Sequence, residues 1–297
     1  MSDAGETVLI TGAGSGLGLE TALFLAERKY RVFGTVFTEA DSETLAAESA
    51  RREVRIRAVP MDVTNSEDIR SQADRIIHEA GRIDALIHFA GMGLRGFFED
   101  LSMEEIRRVY DVNVFGIMEL TQAVLPHMRE NGRGRIVITS SAAGRMGSMS
   151  ISGYCSSKFA VEGFAECLAQ EVRPFNIFVS LLEPGLIRTP HFGPNRNRAR
   201  RAKDPASPYY RWFCQHEHIV DQILARSQFG ASDVAKVVYR ILSARRPRLR
   251  YMVGRQAKTI VSLRRYIPGE WFDRFYWPLL RRMVTSPRVP DRGLSGE

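Results

Sequence analysis

Tyr154 and Lys158 stand four residues apart in Ser150-Ile151-Ser152-Gly153-Tyr154-Cys155-Ser156-Ser157-Lys158. The stretch that follows, Phe159 to Val172, has apolar residues at Phe159, Ala160, Phe164, Ala165, Leu168 and Val172, which is helical spacing. On a helix, positions i and i+4 share one face, so an ammonium is held beside a phenol. A free tyrosine has a pKa of about 10. A nearby cation favours the phenolate and lowers that value, and an acid–base group works best when its pKa is close to the operating pH. Such a pair can give a proton to a carbonyl oxygen or take one from an alcohol. The same spacing occurs in ordinary amphipathic helices, so the elements around the pair must decide.

Those elements alternate. Thr7 to Ile10 is a short apolar run, read as a buried strand, and Thr11-Gly12-Ala13-Gly14-Ser15-Gly16-Leu17-Gly18 follows at once. Leu19 to Arg28 then has helical spacing. Strand, glycine-rich turn and helix open a dinucleotide-binding unit, in which the backbone approaches a pyrophosphate and the helix N-terminus offers it free N–H groups. Further strands are expected at Arg31–Val36, Val54–Val59, Ile83–Phe89, Arg135–Thr139, Ile177–Leu182 and Leu249–Val253. Helices are expected at Asp41–Arg52, Asn65–Ala80, Leu101–Leu125 and Ala231–Ser243. Most strands are continuous Val/Ile/Leu/Phe runs, the pattern of a parallel sheet covered on both faces. The expected fold is therefore α/β, a Rossmann-type doubly wound sheet with a C-terminal helical extension. Polar and glycine signals cluster just after the strands, where open α/β sheets bind ligands. Asp62, past one strand end, can reach an adenine or cap the next helix, and both can hold.

Composition is that of a globular protein, with 44% hydrophobic and 26% charged residues. Cys155, Cys167 and Cys214 lack metal-ligand spacing, so no metal site is expected and the thiols are read as free, in a reducing compartment. No signal peptide is read in the polar start, and no apolar run reaches the roughly 18 residues of a membrane span. The expected location is cytoplasmic, with peripheral membrane contact as an option. The net charge of +8 is uneven. Arg196 to Lys203 holds five basic groups and no acid, and residues 245–297 hold thirteen basic and four acidic groups. The remaining body is mildly acidic, which argues against a nucleic-acid partner.

At this point the chain resembles the short-chain dehydrogenase/reductase family over about Val8 to Gly254. Thr11-Gly12-x-x-x-Gly16-x-Gly18, Asp62-Val63, Asn113, Ser141, Tyr154 with Lys158, and Pro184-Gly185-x-x-x-Thr189 match its motifs in order. The resemblance implies that Tyr154 is the general acid or base, that Lys158 lowers its pKa and holds the nicotinamide ribose, that Ser141 orients the carbonyl oxygen, and that Asn113 holds a water on a proton path. It implies cofactor contacts at Gly12, Ser15, Gly16, Leu17, Gly18, Asp62, Val63, Ala90, Gly91, Pro184, Gly185, Ile187 and Thr189 as well. The family's usual Asn-Asn-Ala-Gly is replaced by His88-Phe89-Ala90-Gly91, and His88 is read as a structural substitute. Val36 stands where NAD-preferring members carry an acid, so NADP(H) is favoured and NAD(H) remains an option. Ser15, Thr35 and Thr38 are the neutral donors for a 2′-phosphate.

Residues 1–254 are thus expected to form one catalytic domain, with a substrate lid over about 186–230, and 255–297 a basic amphipathic extension. The lid's arginines are read as solvated charges and its aromatics as candidate pocket walls. The extension is expected to pack over the substrate mouth. The expected activity is interconversion of a secondary alcohol and a ketone of an apolar, lipid-, steroid- or acyl-like molecule, in a homodimer or homotetramer. The alternative is a cofactor-binding regulator or scaffold without turnover. An epimerase or dehydratase is disfavoured by the single residue between Gly16 and Gly18.

Overall fold

The computed structural model describes residues 5–188 and 196–285. Seven strands, β1 (Thr7–Thr11), β2 (Arg31–Val36), β3 (Ile56–Pro60), β4 (Ala85–His88), β5 (Gly134–Thr139), β6 (Ile177–Pro184) and β7 (Arg250–Val253), form one sheet in the order β3-β2-β1-β4-β5-β6-β7. Every pairing is parallel. The chain starts mid-sheet, winds outward to β3, then returns to the other side of β1, so the direction of winding reverses between β1 and β4. All residues of β1, β4 and β6 are buried, as continuous apolar runs require.

Helices cover both faces. On one side α3 (Ser66–Ala80), α5 (Gly116–Glu130) and α6 (Ser152–Glu171) bury Ile76, Leu120 and Val161 against Leu9, Leu86 and Val179 of the sheet. On the other, α1 (Gly16–Ala26), α2 (Glu39–Arg51) and α8 (Ala231–Ser243) bury Leu25, Leu45 and Val238 against Val8, Ile10 and Val137. Helix α7 (Tyr210–Ala225) lies in the expected lid, and α9 (Arg255–Tyr266) and α10 (Gly269–Thr285) form the C-terminal extension.

Most boundaries shift by a residue or two, and two larger differences bear on the site. The helical region expected over Leu101–Leu125 is two helices, α4 (Met103–Tyr110) and α5, joined by a π-helical turn over Asp111–Phe115. The wider turn interrupts the regular hydrogen-bond ladder at Asn113, which is wholly buried. Periodicity does not show this, because one added residue only shifts the apolar stripe. Helix α6 begins at Ser152, seven residues before the apolar repeat, which brings Tyr154 into its first turn.

The end of the sheet opposite the strand C-termini is tied by Asp84. Its buried carboxylate accepts from the Thr7 backbone N–H at 2.8 Å, from Arg82 Nε at 3.0 Å and from Arg133 Nε at 3.0 Å. Asp84→Ala would leave a buried amide and two guanidinium groups without that acceptor. The expected cost is about 2 kcal/mol, seen as an unfolding midpoint about 5 °C lower, with turnover unchanged because the site lies at the other end. An unchanged midpoint would show that the cluster contributes no net stability.

Candidate active site

The glycine-rich turn follows β1. Gly12 has φ +68°, and a Cβ there would lie 2.9 Å from the Ala90 amide nitrogen, so only glycine lets this turn nest against the end of β4. Thr11 Oγ1 accepts from the Phe89 and Ala90 N–H groups at 3.1 and 3.0 Å, joining the two strand ends at the reversal point. A Cβ on Gly18 would sit 2.0 Å from the Gly12 carbonyl oxygen, which fixes how closely α1 follows the turn. Ser15 precedes α1 without a side-chain capping bond, so the first N–H groups of this 11-residue helix face the turn without a side-chain acceptor. Such a turn and helix N-terminus could hold the pyrophosphate of a dinucleotide. Leu17 is partly buried against the α1 side of the core.

Asp62 follows β3. Its Oδ1 accepts from Thr64 N and Thr64 Oγ1 at 2.9 and 2.8 Å, while the cap of α3 is Asn65, which accepts from Glu67 N and Asp68 N. The helix-cap alternative for Asp62 is therefore removed. The Val63 carbonyl abuts Gly116 at the start of α5.

The reactive residues converge from separate elements. Ser141 follows β5, and its side chain hydrogen-bonds that of Tyr154. Ser141 Oγ also accepts from Ala143 N at 3.1 Å and lies 3.5 Å from the Pro184 carbonyl, which it faces as a donor. Lys158 Nζ, one turn beyond Tyr154, donates to the Thr139 carbonyl at 2.8 Å and lies 5.8 Å from the Tyr154 ring centroid. Asn113 Oδ1 accepts from Met92 N at 2.9 Å, and Nδ2 donates to Met92 O at 2.9 Å and Ser157 Oγ at 3.1 Å. Asn113 therefore pins the loop after β4 to α6. Gly91 lies between: a Cβ there would be 3.2 Å from Asn113 Oδ1 and 3.9 Å from Lys158 Nζ. Gly185 N donates to Val253 O at 2.9 Å, and Ile187 is buried in the core beside β7 and α8. Thr189 lies outside the described residues. His88 is buried, its Nε2 3.0 Å from Thr121 Oγ1, and burial with the Lys158 charge pushes its pKa down to about 3. It is a neutral strut between β4 and α5.

The electrostatics correct one expectation. The spacing predicts that Lys158 pulls Tyr154 below its usual value; instead burial raises Tyr154 to about 12, against the lowering effects of the Ser141 hydrogen bond and the Arg95 charge. Burial also lowers Lys158 to about 8, opposed by the charge of Glu162. Without cofactor, Tyr154 is thus a neutral phenol at neutral pH, the form that donates a proton.

Glu162 is not legible as a site residue from the sequence. It follows Lys158 by one helical turn and is buried with Glu183 between Arg145 and Arg250. Arg250 Nε is 3.1 Å from Glu162 and 3.2 Å from Glu183. Burial, and then Glu162, raise Glu183 to about 7. The repeat Tyr154, Lys158, Glu162 is the available signal, but only the fold shows that this face of α6 points inward.

The lid is better ordered by charge than expected. Arg196 and Arg198 are ion-paired rather than solvated: Glu217 of α7 accepts from Arg95 Nε at 2.5 Å, Arg198 Nε at 2.8 Å and Arg196 Nη1 at 3.3 Å. Arg95 lies on the loop after β4, so α7 is tied to the rim of the site. His216 Nδ1, adjacent to Glu217, is 2.7 Å from Ser150 Oγ. Tyr209 stacks on Phe97 at 5.0 Å, with Trp212 within 6.3 Å of both rings.

The short chain dehydrogenase family model matches residues 6–200. The chain belongs to the short-chain dehydrogenase/reductase family. It is similar to a 3-ketodihydrosphingosine reductase of Bacteroides thetaiotaomicron, 43% identical over 65% of this chain and 67% of that protein. It is 34% identical to human retinol dehydrogenase 8 over 99% of this chain and 95% of that protein. Human 17-beta-hydroxysteroid dehydrogenase type 1 is 32% identical over 88% and 81%. Among solved structures, a short-chain dehydrogenase from Streptomyces avermitilis superposes with a TM-score of 0.78 at 30% identity, covering 94% of this chain and 98% of that one. A Burkholderia phymatum family member in complex with NAD gives 0.77 at 26% identity, covering 89% and 95%. An actinorhodin polyketide ketoreductase with NADPH gives 0.73 at 27% identity, covering 85% and 97%. The protein is accordingly an NAD(P)-dependent oxidoreductase of CH–OH and C=O groups.

Any turnover that needs the Lys158 ammonium falls above about pH 8, where that group loses its proton. Glu162→Gln removes the anion that supports the charge, so the alkaline limb of kcat/KM for ketone reduction should move to lower pH. A limb that stays in place would sever Glu162 from the reaction.

Proposed function

We propose that this oxidoreductase interconverts a secondary alcohol and a ketone on an apolar substrate, with Tyr154 as the proton donor and acceptor. The observation that carries the reading is the meeting of Ser141, Tyr154 and Lys158 at the C-terminal ends of β5 and β6, beside the diphosphate cradle. The nicotinamide supplies or takes the hydride at the substrate carbon. In reduction, the Tyr154 hydroxyl gives its proton to the carbonyl oxygen as that oxygen gains charge. Ser141, already bonded to Tyr154, directs the same oxygen. Lys158 stabilises the phenolate left behind, and Tyr154 regains its proton from solvent. Asn113 acts by holding Met92 and Ser157, and hence the geometry of the pair. Tyr209 of the lid, stacked on Phe97 of the loop after β4, is the candidate apolar wall, and relatives named for a sphingoid ketone, a retinol and a steroid support a substrate of that character.

Cofactor choice turns on two opposed features. Val36 leaves the end of β2 without an acid, which favours the 2′-phosphate of NADP(H). Thr35 is buried and accepts from the Gly12 N–H, however, and Thr38 is engaged with Asp41 in the cap of α2. The Asp41 carboxylate also lies over the turn, where its Oδ1 is 2.6 Å from the place a Gly14 Cβ would occupy. We propose that NADP(H) and NAD(H) are both accepted and that Asp41 limits NADP(H). Asp41→Asn keeps the capping acceptor and removes the charge, so the ratio of kcat/KM for NADPH over NADH should rise about tenfold or more. A constant ratio would clear Asp41 of this role.

A homo-oligomer is the proposed assembly. Exposed Phe98, Met103 and Phe115 border a groove of about 700 Å³ between α4 and α6. A second copy covering this face would bury them.

Steroid, long-chain 3-oxoacyl and small aromatic ketones, assayed with each cofactor, test the main reading. Tyr154→Phe should lower turnover by about 10² to 10⁴ while cofactor binding persists. If cofactor binds but neither ketones nor alcohols turn over in the wild type, the regulator reading replaces this one.

A further inference from the structure

The C-terminal extension has two unlike faces. Inward, α10 packs on α7, and Tyr276 reaches the loop between Ser141 and α6, where its side chain hydrogen-bonds that of Ser148. Val261 of α9 is likewise buried. This contact places the extension at the rim of the reaction site. Outward, six large apolar side chains are exposed within 17 residues: Leu263, Tyr266, Trp271, Phe275, Trp277 and Leu279. Tyr266 is 81% exposed and Phe275 69%.

On α10, Trp271, Phe275 and Leu279 fall at i, i+4 and i+8 and form one stripe. Arg274 and Arg282, both exposed, border or interrupt that stripe. Residues 255–285 contain seven basic and two acidic residues, whereas the body is mildly acidic. A stripe of Trp, Phe and Leu among arginines is badly matched to water. It is also badly matched to a dry protein interface, where each arginine would need its own acceptor. It is well matched to the boundary between lipid headgroups and acyl chains, where aromatic rings enter the apolar edge and guanidinium groups meet phosphates. No described helix is long and apolar enough to cross a membrane.

We propose that the outer face of α9 and α10 docks on an anionic lipid surface. Docked this way, the protein holds the lid and the rim of its site against the bilayer, so an apolar substrate passes between membrane and pocket without crossing water. That consequence rests on the proposed apolar substrate; the docking itself does not and is measured without turnover.

The test is co-sedimentation of the full chain with phosphatidylcholine vesicles, with and without phosphatidylserine, at low and high salt. Wild type should sediment at least about tenfold more with phosphatidylserine at low salt, and salt should weaken the binding. The W271E/F275E variant places charge only on exposed positions, and its melting midpoint confirms the fold; it should lose the binding. The proposal is overturned if wild type stays in solution with anionic vesicles at low salt, or if the variant binds as wild type does. It is equally overturned if the substitutions split an oligomer in solution while neither protein binds vesicles, because a second copy would then be the occupant.

Discussion

The Lys158 ammonium is buried at the strand ends, in a place that disfavours charge. Burial draws its pKa down to about 8, opposed by the field of Glu162, while the Thr139 carbonyl accepts a hydrogen bond from the ammonium. The two supports come from different parts of the molecule. Thr139 ends the central strand β5, and Glu162 sits one turn along α6, itself held by Arg250 and Arg145. A shift of α6 against the sheet would therefore take the lysine from the Thr139 carbonyl, while Glu162, on the same helix, would move with it. The dense packing of Val161, Ala165 and Leu168 into the core prevents that shift.

The same economy governs Tyr154. Burial raises its pKa, while the Ser141 hydrogen bond and the Arg95 charge lower it. Arg95 is shared, since the guanidinium that acts on Tyr154 also holds Glu217 of the lid helix. Lid position and phenol acidity are thereby tied to one side chain. The segment around α7 is held by charge at one end, where three arginines converge on Glu217, and by stacked aromatic rings at the other. Burying an ion cluster of this kind costs desolvation that its pairings must offset, so it selects one lid position more than it adds stability.

Much of this architecture is legible in the amino-acid order. The alternation of apolar runs with helical periods determines a parallel sheet, because only a sheet covered on both faces accepts such strands. The glycine pattern after Ile10 determines where a diphosphate fits, because the steric demand at Gly12 is local. The four-residue spacing of Tyr154 and Lys158 determines that they share a helix face. Contacts between distant segments are not legible in this way. On spacing alone Asp62 could cap the next helix, and it is the Asn65 side chain, three residues on, that caps α3 instead.

The sequence by itself thus determined the alternation of strands and helices, the glycine turn after β1, and the shared helix face of Tyr154 and Lys158, since each follows from short-range sterics and spacing. Tertiary structure alone decided the rest. It turned the helix at Asn113 by a π bulge, raised Tyr154 instead of lowering it, and placed Glu162 where its charge acts on Lys158. It also converted a run of lid arginines into ion pairs around Glu217. The physical reason is common to all of these. Desolvation and charge–charge energies depend on what lies within a few ångströms in space, and neighbours in space are mostly distant along the chain.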